Sequence, residues 1–346
     1  MNTKLTIATE VAKRIIKPRI SKVTIPITYD CNQRCRTCGI WSTNLKTPEL
    51  KANEITEEEY GTFCQRNDIL WTAFTGGEPF SRPDIDHILG LALAFNKMVS
   101  ITTNGFSPDK IVKDISKALY LGGYKVDSYL ALNVSMNGSK EVHDLISGVP
   151  GSFGNAKETL RVLRDLHNPR LSIGVSYTSS SYNKGEFNTY LKEMEEIGIG
   201  IENITFGMGQ DSPSYYQGKK QSESVTPGQD YIQEFSGNIL RNLKIGMDPL
   251  KWVSMKYLEG FTRGFQNGNA PECVAGQYSL MLDPYWNVYP CMFFCPSLPI
   301  GNLREVNFQI GKLDLEKCKS VVQSCKGCWT PCESYSTIIF RPWRCV

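Results

Sequence analysis

Three cysteines lie close together near the start of the chain, in the stretch TYDCNQRCRTCGIW at residues 28–41. Cys31, Cys35 and Cys38 have the spacing C-x3-C-x2-C and directly follow a predicted strand. In parallel α/β folds, active sites lie beyond the carboxyl ends of the strands. Three thiolates in such a loop can bind three irons of a four-iron cluster and leave the fourth iron without a protein ligand. An open metal position favours catalysis over a structural role.

The chain as a whole has twelve cysteines and only three histidines. We predict a cytoplasmic protein, because no apolar run is long enough for a membrane-spanning helix or a secretory signal. Disulfides are rare in that compartment, so grouped cysteines indicate metal binding or catalysis. Soft thiolate ligands select zinc or iron–sulfur clusters. The net charge of +3 gives no support for a nucleic-acid partner.

Two further motifs follow the next two predicted strands. The first is FTGGEPF at residues 74–80, where Gly76 and Gly77 allow a backbone to approach a ligand closely. Glu78 adds an acceptor beside that backbone, and Pro79 stiffens the turn. The second is ITTNGF at residues 101–106.

Together these motifs resemble the radical S-adenosylmethionine superfamily. The three-cysteine loop with Trp41 behind it matches the family's cluster loop, residues 76–79 match its GGEP segment, and residues 103–105 match its TNG turn. The resemblance implies a [4Fe–4S] cluster whose open iron is chelated by S-adenosylmethionine. Reduction, by a partner such as ferredoxin or flavodoxin, would cleave the cofactor to a 5′-deoxyadenosyl radical that abstracts hydrogen from a substrate. The cofactor-binding residues implied in this way are Gly76, Gly77, Glu78, Pro79, Thr103, Asn104 and Ser135.

The chain departs from the family pattern at three positions. Asn137 stands where Asp is usual, and Ser147 stands where Arg is usual. Trp286 replaces the usual Gly before the second strand of a hairpin described below. We expect His143, in the same stretch as Asn137, to be a structural contact rather than a base.

Eight cysteines crowd into residues 273–345, and their arrangement resembles the SPASM extension or its shorter relative, the twitch domain. Cys273 and Cys291 flank a predicted hairpin at 280–290. Cys325, Cys328 and Cys332 form a compact C-x2-C-x3-C loop. We predict one auxiliary [4Fe–4S] cluster, with Cys273, Cys291 and two or three of the later trio as its ligands. A zinc ribbon is the alternative, and a second auxiliary cluster could draw on Cys295, Cys318 and Cys345. Cys64 is expected to be buried and inert.

Alternating apolar and helical patterns place these motifs in an α/β fold. Six strand–helix units imply a parallel sheet that curls into a partial (β/α)6 TIM-like barrel, followed by a small cysteine-rich α+β extension. The predicted strands are 22–28, 70–75, 98–103, 128–135, 171–177 and 202–206. The predicted helices are 55–65, 84–95, 109–120, 152–166, 185–197 and 231–240. The domains expected are a basic N-terminal helix at 1–21, the core at 22–240 and the extension at 241–346.

The N-terminal segment carries six lysines and arginines within residues 4–22 and one acid, Glu10. Val11, Ile15 and Ile16 can form an apolar stripe on a helix packed against the barrel. Peripheral contact with a membrane surface, or with an anionic substrate, is the alternative.

The sequence therefore predicts a radical enzyme that acts on a small-molecule, cofactor-precursor or lipid substrate with help from an auxiliary cluster. A peptide- or protein-modifying enzyme is the alternative, and a non-catalytic iron–sulfur or zinc protein is an alternative of another class. No catalytic acid or base is assigned beyond the cluster. Residues near late strand ends that are candidates for the cavity wall are Tyr177, Gln210, Asp211, Tyr215 and Tyr216.

Overall fold

The protein is described from a computed structural model that covers residues 3–123, 127–209, 225–242, 249–267, 270–323, 325 and 327–344. Cys345 and the cavity candidates Gln210, Asp211, Tyr215 and Tyr216 lie outside these residues. None of the described helices is both long and apolar enough to cross a membrane.

One mixed sheet of nine strands organises the described chain, in the order β6-β5-β4-β3-β2-β1-β7-β8-β9. Strands β1 to β6 are parallel neighbours in sequence order, and β7 pairs parallel with the free edge of β1. The strands are β1 Lys22–Pro26, β2 Trp71–Thr75, β3 Met98–Thr103, β4 Tyr129–Ser135, β5 Leu171–Ser179, β6 Ile204–Met208, β7 Ser279–Leu282, β8 Asn287–Tyr289 and β9 Gly301–Asn302. The strands of the extension thus continue the core sheet beyond β1, and the pairs β7–β8 and β8–β9 are antiparallel.

Twelve α-helices are assigned within the described residues. They are α1 Thr3–Ile16, α2 Thr43–Lys46, α3 Glu57–Arg66, α4 Ile85–Phe95, α5 Pro108–Leu121, α6 Lys140–Ser147, α7 Ser152–Arg164, α8 Phe187–Glu196, α9 Gln229–Asn242, α10 Pro249–Asn267, α11 Leu315–Gln323 and α12 Pro331–Phe340. One hydrophobic core runs between the outer face of the sheet and the helices that cover it, with Val23, Ile25, Val99 and Leu130 all 1% exposed or less.

All six predicted strand–helix units are present, and their ends agree with the predicted ends to within two residues. The sequence patterns do not predict α6 or α10. Helix α6 is only eight residues long, and it contains His143 and ends at Ser147, one of the positions that depart from the family pattern. Helix α10 falls after the regular alternation has stopped, so no strand precedes it to signal another unit.

The closing elements α10 and α12 cover the gap between β6 and β1. The Tyr257 hydroxyl on α10 donates to the carbonyl oxygens of Phe206 on β6 and Trp329 before α12, at 2.9 and 3.0 Å. Tyr257 also stacks on Tyr335 of α12 at 4.8 Å between ring centroids. On the other edge, the ammonium of Lys22 on β1 donates to the carbonyl oxygen of Cys332 on α12. The extension therefore completes the wall of the partial barrel.

The hairpin turn explains the departure at Trp286. Its φ of +68° lies in the left-handed region that glycine adopts most easily. The indole is fully buried, packs against Phe63 and Phe308, and donates to the Glu59 carboxylate at 3.0 Å. Packing and this hydrogen bond offset the backbone strain of about 1–3 kcal/mol expected for a side chain in that region.

Helix α1 packs at the amino ends of the strands. Arg14, 2% exposed, bonds Glu10 on the same helix and Asp68 just before β2, at 2.6 and 2.7 Å. Val11 packs against the buried cluster that contains Tyr278 and Phe340. The helix thus lies at the end of the sheet opposite the cysteine loop, and contact with a membrane stays a prediction.

Candidate functional site

The cysteine loop follows β1 at the carboxyl edge of the sheet, as the motif predicts. Cys31, Cys35 and Cys38 are all partly exposed, and none is in a disulfide. The backbone amide of Gln33 donates to the Cys31 sulfur at 3.4 Å, and the Cys35 thiol lies 3.5 Å from the Gln33 side-chain oxygen. Short local contacts of this kind fix where the thiols point without burying them.

The cysteine loop is anchored to the last turn of α6. The amides of Arg34 and Arg36 donate to the carbonyl oxygens of Ser147 and Ile146, at 2.9 and 2.7 Å. Gly148 ends the helix at φ +69°, and a Cβ there would lie 2.8 Å from the Arg34 carbonyl oxygen. Ser147, which replaces the usual Arg, therefore contributes its backbone to the loop's support.

The two glycines of the GGEP segment pack against the chain that enters the cysteine loop. A Cβ on Gly76 would lie 2.3 Å from the Thr28 carbonyl oxygen, and one on Gly77 would lie 2.1 Å from that of Asp30. The Gly77 amide donates to Thr28 and the Glu78 amide to Asp30, at 2.8 and 2.7 Å. The close approach that these glycines permit is thus made by the protein's own backbone. A ligand would meet the rigid turn that results.

Glu78 joins the ends of β2 and β3. Its carboxylate accepts hydrogen bonds from the Phe80 amide, the Thr103 hydroxyl and the Asn104 amide, at 3.0, 2.8 and 2.7 Å. The Asn104 side chain in turn donates to Asn32 in the cysteine loop at 2.7 Å. Pro79 is buried and begins the short turn that presents Phe80. Loops after three neighbouring strands therefore converge on one carboxylate.

Glu78 forms no ion pair with a cation among the described residues, although the positive charge of Lys110 makes a small contribution that lowers its pKa. Glu78 is 3% exposed, and burial raises its pKa despite the three hydrogen bonds. Burial, with a smaller contribution from the nearby Glu78 charge, also raises the pKa of Cys31. A carboxylate has room for about four hydrogen bonds, so Glu78 has capacity for one more donor. A ligand with an ammonium group, bound beside irons held by the thiolates, fits this site in both charge and hydrogen bonding.

The end of β4 supplies Ser135, whose hydroxyl has no hydrogen-bond partner among the described residues. Two residues on, the Asn137 side-chain oxygen accepts from the Thr178 amide at 2.8 Å, and its backbone amide donates to His143 Nδ1 at 3.1 Å. The contact with the Thr178 amide requires only a hydrogen-bond acceptor at position 137, and the side-chain oxygen of Asn137 provides one without the negative charge of an Asp.

His143 links this turn to the cysteine loop. Its Nε2 lies 3.0 Å from the Ser152 hydroxyl, which accepts from the Gln33 side chain at 2.6 Å. The ring is 2% exposed, and burial lowers its pKa to about 4, so it is neutral at pH 7. These contacts give His143 the structural role expected for it.

Several of the later cysteines lie near one another. Cys273, Cys291, Cys325 and Cys328 lie close enough to affect one another's ionisation, and burial raises the pKa of Cys273 to about 12. Cys332 lies near Glu333, as Cys273, Cys291 and Cys328 do, and it lines the barrel cavity beside Lys22. Four thiols in one place fit the donor set of an iron–sulfur cluster.

Three other cysteines lie away from this group. Cys64 and Cys318 are buried in the hydrophobic core. Cys295 is 1% exposed and packs near Cys38, with its sulfur 3.8 Å from the Tyr29 hydroxyl. Within the described chain, no three His, Cys, Asp or Glu side chains are arranged to hold a single metal ion.

A cavity of about 510 Å³ occupies the interior of the partial barrel. It extends from Lys22, the first residue of β1, to Thr75 and Met208, the last residues of β2 and β6. Tyr177 touches it, although most of that ring packs in an aromatic cluster behind the sheet. The size is typical of ligand sites. Polar side chains that line it include Thr24, Ser100, Thr102, Asn133, Ser176 and Thr178.

Sequence reasoning misses several residues that the fold brings to this site. Glu54, between the cysteine loop and α3, accepts from the Thr28 hydroxyl and the Asn44 amide at 2.9 and 3.1 Å. Gln33 contacts two of the loop cysteines through local bonds. The sequence places Lys22 only among the basic residues of the N-terminal segment and at the start of a predicted strand. An ionised side chain at an inward position of a buried strand is the one signal that could have singled it out.

Comparison with known proteins supports the interpretation of the motifs. Residues 25–194 match the sequence profile of the family described as "Radical SAM superfamily". The subtilosin biosynthesis protein AlbA of Bacillus subtilis is 23% identical over 81% of this chain and 56% of AlbA, so the match spans little more than half of that relative. The AdoMet-dependent heme synthase of Methanosarcina barkeri is 25% identical over 82% of this chain and 79% of the synthase.

Solved structures share the fold at lower identity. The structure titled "Native anSMEcpe with bound AdoMet" has a TM-score of 0.62 and 16% identity, over 88% of this chain and 83% of the other. Streptococcus suis SuiB bound to the precursor peptide SuiA has a TM-score of 0.59 and 13% identity, over 94% and 75%. Both support the α/β partial-barrel architecture.

Proposed function

The chain belongs to the radical SAM superfamily, whose enzymes use a [4Fe–4S] cluster and S-adenosylmethionine, and on that premise we propose how its own residues serve the reaction. Cys31, Cys35 and Cys38 hold three irons of the cluster. When bound, the cluster and cofactor together supply a 5′-deoxyadenosyl radical that abstracts hydrogen from a substrate. The observation that carries the proposal is Glu78, a buried carboxylate that forms no ion pair among the described residues and lies between the thiol loop and the ends of two strands.

In this proposal Glu78 accepts a hydrogen bond from the cofactor's ammonium group, and the rigid turn of Gly76, Gly77 and Pro79 orients it. Thr103 and Asn104 hold the Glu78 carboxylate in place through the bonds described above. Ser135 has a hydroxyl available for the cofactor ribose. Each of these roles places a neutral or negative group against a positive or hydroxyl-bearing part of the cofactor.

We further propose that Cys273, Cys291, Cys325 and Cys328 hold one auxiliary [4Fe–4S] cluster. Their mutual proximity supports this set, and Cys332, which lies near the same Glu333, is a further candidate ligand. Residues 22–240 and 241–346 then act as the core and the extension, although their strands form one sheet. Cluster potential is tuned by hydrogen bonding and solvent exposure, so burial by the extension sets how readily this cluster exchanges electrons.

The proposed substrate site is the barrel cavity. It is walled by the inner strands and by Met292, Thr330 and Pro331 of the extension. A small-molecule, cofactor-precursor or lipid substrate suits a cavity of this volume, and the similarity to a heme synthase supports that class. An electron donor such as ferredoxin or flavodoxin would supply the reductant.

Peptide modification is the second candidate function. It is favoured by the similarity to AlbA, a bacteriocin biosynthesis protein, and by the shared fold with SuiB, which binds a precursor peptide. The two candidate functions are distinguished by incubating the enzyme with a peptide or with a carboxylic-acid substrate. Mass spectrometry then shows which of the two loses or transfers hydrogen.

The core proposal is tested by anaerobic reconstitution with iron and sulfide, then reduction in the presence of S-adenosylmethionine. Release of 5′-deoxyadenosine is expected. The variant with Cys31→Ala, Cys35→Ala and Cys38→Ala should release none, and the matched Cys64→Ala variant should behave like the wild type. Release by the triple variant would refute the assignment.

Iron analysis of the same preparations tests the auxiliary cluster. Two four-iron clusters give about eight irons per chain. About four irons, with or without zinc, would leave only the first cluster. About twelve would require a second auxiliary cluster.

A further inference from the structure

A buried lysine lies at the end of the barrel cavity that faces away from the cysteine loop. Lys22 is the first residue of β1, lines the cavity and is 1% exposed. Burying an ammonium is costly unless its charge is paired. The groups around Lys22 therefore indicate whether its charge is paired within the protein or is left for a ligand in the cavity.

The ammonium of Lys22 has only neutral partners among the described residues. It donates to the carbonyl oxygen of Cys332 and lies over the Trp71 ring, 4.4 Å from the ring centroid. Trp71 is held in that position by a hydrogen bond from its indole to Ser100, at 2.9 Å. A lysine ammonium has three donors, and these contacts use one of them for a hydrogen bond.

The nearby acids do not pair with Lys22. Glu333 follows Cys332 directly, but its carboxylate accepts from the Ser279 hydroxyl and does not line the cavity. Glu202 lines the same cavity just before β6, and no ion pair joins it to Lys22. The cavity wall at β1 thus presents a positive charge.

A second polar group next to Lys22 also lacks a partner. Thr24 lies two residues further along β1, so it is on the same face of the strand and lines the same cavity. It is 6% exposed, and its hydroxyl forms no hydrogen bond within the described residues. Buried polar groups are nearly always hydrogen-bonded, so an unpartnered hydroxyl beside an unpaired ammonium indicates a missing ligand.

We propose that Lys22 and Thr24 bind a carboxylate of the substrate at the end of the cavity that faces away from the cysteine loop. One ammonium and one hydroxyl suit a single carboxylate, and Trp71, Met98 and Tyr129 provide an apolar and aromatic wall around it. This proposal rests on the proposed function, because it assumes that the cavity is the substrate site.

The position of Lys22 also sets the length of the substrate. Pro26 lies four residues after Lys22 on β1, a rise of about 13 Å, and the cysteine loop begins beyond that point. A carboxylate held at Lys22 therefore lies on the order of 10 Å from a carbon that reacts at the cluster end. The substrate is an elongated carboxylate, supplied either by a free carboxylic acid or by a peptide.

Anaerobic isothermal titration calorimetry on the reconstituted holoenzyme tests the anchor. The probes are 4-phenylbutyrate and its uncharged amide, and the peptide Ala-Ala-Ala-Phe and its C-terminal amide. We expect one carboxylate of these pairs to bind at least tenfold more tightly than its amide, and the pair that shows this preference identifies the source of the carboxylate. Lys22→Met should abolish the preference and Lys22→Arg should retain it, while Lys113→Met, at an exposed lysine on α5, should leave it unchanged.

The anchor is overturned if the wild type binds neither carboxylate, if it binds acid and amide equally in both pairs, or if Lys22→Met keeps the preference. Should Lys22→Met fail to fold by circular dichroism, Thr24→Val replaces it, and an unchanged preference in that variant likewise overturns the proposal. The titration requires no cofactor cleavage. A holoenzyme that bound the carboxylate but released no 5′-deoxyadenosine would refute the proposed function and leave the anchor intact.

Discussion

Gly77→Ala is the substitution that most directly tests how the site is built. The new Cβ would lie 2.1 Å from the Asp30 carbonyl oxygen and 2.8 Å from that of Tyr29. Side-chain Cβ atoms essentially never come closer than 3.0 Å, so the two segments must separate by roughly 0.9 Å. Gly77 does not have a left-handed φ, so the effect is purely steric.

That separation has a calculable cost. Overpacking typically costs about 1–3 kcal/mol, and the two backbone hydrogen bonds between the segments contribute about 1 kcal/mol each. The free energy of unfolding should therefore fall by about 3–5 kcal/mol if both hydrogen bonds are lost. If the cysteine loop shifts instead, a displacement of nearly 1 Å at a reacting centre is expected to lower the rate on the order of 100-fold.

The assay is 5′-deoxyadenosine release per chain, measured beside iron content and urea unfolding. We expect Gly77→Ala to lose cofactor cleavage while the irons of the auxiliary cluster remain. Gly154→Ala is the matched control, because a Cβ there meets nothing within 4 Å and alanine favours helix α7. The reasoning is refuted if Gly77→Ala cleaves the cofactor within threefold of the wild type and unfolds at the same urea concentration.

Three further predictions concern single side chains. Glu78→Gln removes the buried charge that joins the ends of β2 and β3. It should raise the KM for S-adenosylmethionine at least tenfold, with the unfolding midpoint as the control, and an unchanged KM contradicts the role given to the carboxylate. His143 is neutral when folded, with a pKa of about 4 against 6.5 for the ordinary group, so the unfolded chain binds more protons between these values. Stability should fall by about 3 kcal/mol as the pH drops from 6.5 to 4, and His143→Gln should flatten that dependence in pH-dependent urea unfolding. Cys328→Ala should lower the iron content by about four irons per chain, and Cys332→Ala should not. Equal losses of iron in the two variants would show that Cys332 is also a cluster ligand.

Much of the architecture follows from local pattern. Strand β3 is predicted to the residue, because its alternation of buried and partly exposed positions is complete and Asn96 and Asn104 bound it. Helix α3 begins at a capping box in which Thr56 and Glu59 bond each other's backbone, so its start is encoded within four residues. Trp286 has no comparable signal. Its glycine-like φ is tolerated only because distant side chains bury the indole.

The sequence by itself determined the three-cysteine loop, its place after the first strand and the two turns that follow β2 and β3, because spacing along the chain and order along a parallel sheet are local properties. Tertiary structure decided the rest. It packed Gly76 and Gly77 against the protein's own backbone, brought Cys332 to the cavity wall, and set Lys22 inside the cavity. Those outcomes depend on contacts between residues that are far apart in the chain, such as Lys22 and Cys332, which are separated by 310 positions. Which side chains are buried by such contacts, and which become hydrogen-bonded, is fixed only when the chain folds.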